Sequence, residues 1–288
     1  MKLLPWTIIL SITLLTTACG KKEEASSDPK FSFGGAFGGL VEGFLMSHKL
    51  KNLNPKEEAK LGADIHKQFI DAGQFKLYKN EILRTWITEI GYRLIPYLQR
   101  KEAEYRDPSY YKFFVLDDDS PNAFATMGGF VYVTTGLLKF LDTEAALAGV
   151  VGHELAHIDK KHALDRMASN MLLMSVLKGA DLGDAEFIAN AALMFKFAKN
   201  SRKKEFEADK YGLRYLQSSD YAAAEMLQFF QKIKQEGKSG VTHFFSSHPS
   251  PDDRIEALEV MLKKQWDYSG IGLNEEDYDY YVCRGIKC

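Results

Sequence analysis

His153-Glu154-Leu155-Ala156-His157 decides the reading of this chain, and Glu205-Phe206-Glu207-Ala208-Asp209 completes it. On a helix, positions i and i+4 project from one face, so His153 and His157 can grip a single zinc ion through two imidazole nitrogens. Glu154 then stands beside the metal rather than on it. Water held by zinc is acidified towards a pKa of roughly 7, and a neighbouring carboxylate can take its proton and aim the resulting hydroxide at a peptide carbonyl. The motif therefore implies metal-assisted hydrolysis.

The flanking residues suit a buried helix. Asp142 can cap it, and Glu144-Ala-Ala-Leu-Ala-Gly-Val-Val-Gly152 sets small and apolar residues before the first His. A zinc ion that keeps one position open needs a third protein ligand. Glu205 is the best candidate, because it lies early in a predicted helix over 202–216. Asp209 falls one turn later on the same face, where it can accept the free N–H of a zinc-bound His. Glu207 faces elsewhere. Of the 7 His, His48, His66, His162 and His243 read as structural, and His162 falls past the face that His153 and His157 share.

Further segments follow the same order along the chain: Asn122-Ala-Phe-Ala125, Gly128-Gly129-Phe130-Val131-Tyr-Val-Thr-Thr-Gly-Leu-Leu138, the His-Glu-x-x-His segment, Ser201-Arg202 with Glu205 and Asp209, and Ser247-His248-Pro249 with Arg254. Over residues 53–262 this series resembles the family 48 zinc metallopeptidases, which include the HtpX heat-shock proteases, the CAAX prenyl proteases and periplasmic quality-control proteases of the BepA kind. The resemblance implies an α+β, mostly α domain of the zincin type, a gluzincin with a small β-sheet and an active-site helix. It implies that His153, His157 and Glu205 bind one Zn2+ per chain, that Glu154 is the general base and that Asp209 orients a ligand. His248 would lie close to the metal, to hydrogen-bond the oxyanion or to occupy the open zinc position at rest. By its residues alone His248 is equally a loop His before a helix starting near Pro251-Asp252, with Arg254 a salt-bridge partner only.

Phe130-Val131-Tyr132-Val133-Thr134 is β-branched and aromatic, and Gly128-Gly129 lets another backbone come close. The segment reads either as an edge that pairs with an extended substrate through Gly128, Gly129, Phe130 and Val131, or as an ordinary internal strand. Asn122 either hydrogen-bonds substrate backbone or simply belongs to the turn Ser120-Pro121-Asn122.

At the amino terminus Lys2 precedes an apolar run from Leu3 to Leu15 and then Thr16-Thr17-Ala18-Cys19-Gly20, which resembles a bacterial lipoprotein signal. Residues 1–18 are read as the leader and Cys19 as the lipidated residue. Gly20, where an Asp would signal inner-membrane retention, points to the periplasmic side of the outer membrane. Cys283 and Cys288 form an even pair that can close a disulfide in an oxidising compartment. Residues 19–52 read as a lipidated Gly/Phe-rich tether, 53–265 as the peptidase domain and 266–288 as an acidic, Tyr-rich tail.

Helices are predicted at 54–72, 80–100, 143–160, 163–178, 185–199, 202–217, 221–236 and 252–265, with strands at 111–116 and 130–134. No uncharged stretch between the two motifs approaches the roughly 20 residues needed to span a bilayer. A helical hairpin fits there, its Met167, Met171, Met174 and Met194 either gating substrate entry or packing in the core. With 45% hydrophobic residues the chain can bury a substantial core, and a net charge of −2 gives no sign of nucleic-acid binding. Two function classes follow. One is a zinc endopeptidase acting on misfolded or misassembled envelope proteins, with the outer-membrane assembly machinery as a partner. The other is a non-catalytic or latent assembly factor on the same fold. An aminopeptidase would need a group for the substrate's free amine, and no motif identifies one.

Overall fold

The structure is a computed structural model and describes residues 36–178, 200–236, 248–249, 251–263 and 269–286. The leader, Cys19, the helix predicted at 185–199, Met194, His243 and Cys288 lie outside the described residues. Within them the chain runs α1 (Ala36–Lys51), α2 (Pro55–Asp71), α3 (Glu81–Leu94), β1 (Lys112–Leu116), β2 (Ala123–Ala125), β3 (Phe130–Thr134), α4 (Thr135–Phe140), α5 (Glu144–Asp159), α6 (His162–Lys178), α7 (Arg202–Ser218), α8 (Ala224–Glu236), α9 (Pro251–Lys263) and α10 (Glu275–Ile286). The sheet order is β1-β3-β2, with β1 parallel and β2 antiparallel to β3.

Local chemistry sets the helix starts. Asn54 caps α2, accepting from the Lys56 and Glu57 amides while Glu57 reaches back to the Asn54 amide, and Pro55 fills the first turn. α5 is capped by Thr143 rather than Asp142: the Thr143 hydroxyl accepts from the Ala146 amide at 3.1 Å. Asp142 instead pairs with Lys232 of α8 at 2.6 Å. Ser201 caps α7.

Every residue of α5 from Ala145 to Asp159 is buried, which makes it the central helix of the core. α7 and α8 pack against it, as do α3 and the sheet. Glycines set the crossing of α5 with α7. A Cβ on Gly212 would lie 3.0 Å from the His153 amide nitrogen, and one on Gly152 would lie 2.9 Å from Leu216. Larger residues would push the two helices apart.

Two segments that read as loose are packed. The predicted tether becomes α1 from Ala36 onward, and its Leu50 is buried with Ile65, Phe69, Leu164 and Met167. Met167 therefore belongs to the core, and the side chains of Met171 and Met174 lie outside the described residues. The acidic tail becomes α10. Its first turn holds Glu275, Glu276 and Asp277, which favour a helix N-terminus, and it buries Tyr278, Val282 and Gly285 at helical spacing. The Tyr278 hydroxyl donates to the Leu138 carbonyl at 2.7 Å, and Tyr281 stacks on Trp86 at 4.8 Å. Cys283 is disulfide-bonded, and its partner is outside the described residues. β2 and α4 were not foreseen, being only 3 and 6 residues long.

The turn before β3 is held by a buried ion pair. Glu58 of α2 accepts from Arg100 at 2.8 Å and from the Tyr105 hydroxyl at 2.9 Å, and Arg100 lies over the Tyr105 ring. Removing one partner strands the other charge in the interior. Glu58→Ala should therefore lower unfolding free energy by about 3–5 kcal/mol in urea titrations. A loss below about 1 kcal/mol would mean that Arg100 finds water instead.

Candidate metal centre

His153, Glu154 and His157 sit on the buried turns of α5, where His153 and His157 share a face as their spacing requires. α7 presents Glu205, Asp209, Gly212 and Leu216 as a buried stripe at helical spacing. Because Gly212 lets the helices touch beside His153, the two acids upstream of it meet the two imidazoles. His248 arrives from the segment preceding α9, and Arg254 from α9 itself, its side chain fully buried.

Four donor residues converge. His153 Nε2 lies 3.0 Å from His157 Nε2, 3.5 Å from Glu205 Oε2 and 3.3 Å from His248 Nδ1. Glu205 Oε1 is 3.3 Å from His157 Nε2, and Glu205 Oε2 is 3.0 Å from His248 Nδ1. Tetrahedral zinc with ligands about 2.0–2.1 Å away places its ligand atoms about 3.3 Å apart. Neighbouring contacts are near that spacing and the ligand atoms all lie within 4.8 Å of one another, so His153, His157, Glu205 and His248 could hold a metal ion as a group. Glu154 Oε1 and Glu205 Oε1 are also buried without a hydrogen bond. Buried carboxylate oxygens in that condition are costly unless a cation meets them, so the donor set fits a divalent metal.

A second layer orients this set. Asp209 Oδ1 lies 2.9 Å from His153 Nδ1, which directs the Nε2 lone pair inward. Arg254 grips Asp209 with two bonds of 2.6 Å and reaches Glu205 Oε2 at 2.9 Å. On the far side His157 Nδ1 lies 2.8 Å from His162 Nδ1, and His162 Nε2 lies 3.2 Å from Glu207 Oε2.

The protonation pattern follows from these neighbours. Burial works against the His153 imidazolium, but hydrogen bonds to Asp209 and Glu205 prevail and push its pKa up to about 9. Burial holds His157 well below the usual imidazole range. Burial would raise Glu205, yet His248, His153 and His157 keep it well below the usual carboxylate range. Arg254 likewise outweighs burial at Asp209 and lowers it. Glu154 is raised, chiefly by burial, which is the direction that makes a carboxylate a better proton acceptor.

The sequence reading and the structure differ at the strand and at His162, a neighbour of the metal group. β3 is the central strand, paired on both sides and buried at every residue, so Phe130 and Val131 offer no edge to a substrate. Gly128 and Gly129 have positive φ of 75° and 84°. Their missing Cβ atoms make room for the Glu58 and Tyr110 carbonyls of the same chain rather than for a ligand. The edge nearest the metal group is β2, whose Ala123 carbonyl lies 3.4 Å from His248 Nε2. Asn122 leads into β2, and its Oδ1 is buried without a hydrogen bond.

His162, read as structural, contacts His157 because α5 ends at Asp159 and the chain turns back. The face of a continuous helix no longer applies. Arg254 is a salt-bridge partner as read, and its partners are Glu205 and Asp209 of α7. The polar pair Lys160-Lys161, breaking a long apolar helix, was the signal for the first. Nothing in the spacing announces the second.

The match to known proteins centres on the same part of the chain. The description Peptidase family M48 covers residues 81–262. A putative beta-barrel assembly-enhancing protease of Vibrio cholerae is 29% identical over 191 residues, which are 60% of this chain and 38% of that protein. The Protease HtpX homolog of Dictyoglomus thermophilum is 31% identical over 193 residues, 52% of this chain and 63% of that one. The mitochondrial metalloendopeptidase OMA1 of Schizosaccharomyces pombe is 31% identical over 160 residues, 53% and 47% of the two chains. The matched region is thus less than two-thirds of the length of each of these relatives. It includes the whole donor group and its orienting residues, and the chain belongs to peptidase family M48, a family of metallopeptidases.

Proposed function

We propose that the chain is a zinc metalloendopeptidase that cleaves misfolded or misassembled envelope polypeptides. The observation that carries this reading is the buried donor set of His153, His157, Glu205 and His248, with the raised carboxyl of Glu154 beside it. Zinc held there would supply a Lewis acid that eases deprotonation of water and polarises a peptide carbonyl. Glu154 takes the proton of the attacking water and returns it to the departing amine. Asp209 fixes the ring of His153, and Arg254 fixes Asp209.

Substrate backbone adds to the edge of β2, not to β3, since β2 is the strand that reaches the donor group. The Oδ1 atom of Asn122 can accept an amide of that backbone. Such main-chain pairing has little sequence preference, which suits unfolded chains. Among the described residues no helix is long and apolar enough to cross a membrane. Membrane attachment is assigned to a lipid on Cys19, and the envelope setting draws support from relatives named as assembly-enhancing proteases.

His248 would be a fourth ligand to a bound zinc, and its place beside His153 and Glu205 supports a resting form in which this ring leaves before a carbonyl approaches.

In a casein cleavage assay Glu154→Gln should retain zinc and lose about 10²–10⁴-fold in turnover. Persistent cleavage would remove Glu154 as the base, and inactivity of wild type and variant alike would favour an assembly factor. His248→Ala should keep its zinc and cleave several-fold faster, whereas equal turnover would exclude His248 from the mechanism. Cys19→Ser should move the protein from the membrane fraction to the soluble fraction, and unchanged fractionation would refute the lipid anchor.

A further inference from the structure

A His that binds metal through Nε2 as a neutral ring carries its proton on Nδ1, and in a buried site that N–H needs an acceptor. For His153 the acceptor is the charged carboxylate of Asp209. For His157 it is a different kind of group. Resting on the zinc-peptidase reading above, we infer that His162 is the positioning residue of His157, and that Glu207 in turn fixes the tautomer of His162.

The hydrogen-bond directions form one consistent chain. His157 Nδ1 and His162 Nδ1 are 2.8 Å apart, and only one of the two can carry the proton between them. If His157 donates, His162 Nδ1 is the bare nitrogen and the proton of a neutral His162 resides on Nε2. That nitrogen lies 3.2 Å from Glu207 Oε2, an acceptor without a proton to offer. Glu207 therefore selects the tautomer of His162 that can receive the proton of His157.

Local backbone makes this possible. α5 stops at Asp159, Lys161 adopts a positive φ of 55°, and the chain doubles back so that α6 begins with His162 under the ring of His157. Lys204 donates to the His162 carbonyl at 3.1 Å and holds the turn against α7. Glu207 follows Glu205 by two positions, so one helix supplies both a member of the donor group and the outer support of another. His162 is buried, whereas the Glu207 side chain is 41% exposed. The two imidazoles of the HExxH segment thus have unequal supports, a charged one on His153 and a neutral one, backed by a carboxylate at the surface, on His157.

The test measures zinc dissociation constants of the full chain by competition with a fluorescent chelator, and the visible absorption of the Co2+-loaded protein. Wild type, His162→Phe, His162→Gln and Glu207→Ala are compared. Uptake of zinc by wild type tests the metal centre itself, so failure there sinks the peptidase reading and the inference together. Given that uptake, His162→Phe should weaken zinc about 10–100-fold and shift the cobalt bands. His162→Gln, whose Oε1 can accept the same proton, should regain most of the loss. Glu207→Ala should weaken binding in the same direction by less. A folded His162→Phe with the wild-type constant and unchanged cobalt bands would overturn the inference. Should His162→Phe fail to fold, the same result in Glu207→Ala, altered only at a partly exposed residue, would overturn it.

Discussion

Arg254 has a fully buried side chain, so its charge must be met inside the protein, and the surrounding fold is organised to meet it. Asp209 takes two short bonds from the guanidinium and Glu205 a third contact. An unpaired ion at this depth would cost several kcal/mol, so α7 and α9 cannot shift independently. Asp209 passes the constraint to His153, and Glu205 sits against both imidazoles of α5. One buried cation therefore aligns three helices around the donor group.

That alignment needs close helices as well as matched charges. A carboxylate on α7 reaches an imidazole on α5 only because Gly152 and Gly212 remove the side chains at the crossing. The burial that follows shapes the electrostatics. It raises Glu154, which has no cationic neighbour strong enough to offset it, while Glu205 and Asp209, facing histidines and Arg254, stay ionised. Carboxylates of one buried cluster acquire different tasks from their neighbours alone.

What was legible in the sequence is what is local. The His153 to His157 spacing, the Glu205 to Asp209 spacing and the apolar run before them place three donors and two helices without any tertiary knowledge. What was not legible depends on how distant segments meet. The composition of Phe130-Val-Tyr-Val-Thr134 announces a strand but not whether it is an edge or lies between two others, and only the fold puts β2 rather than β3 beside His248. Gly and Phe in 36–51 read as a tether because the surface that covers α1 is contributed by α2 and α6. His162 was set aside because a helix-face rule was extended past the residue at which the helix ends.

The central claim is that His153, His157 and Glu205 hold one metal ion at the place where Arg254 and Asp209 aim them. Diffraction from crystals of the zinc-loaded protein, collected on both sides of the zinc absorption edge, tests it most directly. The account predicts one anomalous peak per chain, about 2.0–2.2 Å from His153 Nε2, His157 Nε2 and a Glu205 oxygen. A zinc peak bound elsewhere, or one that leaves Glu205 uncoordinated, would contradict it.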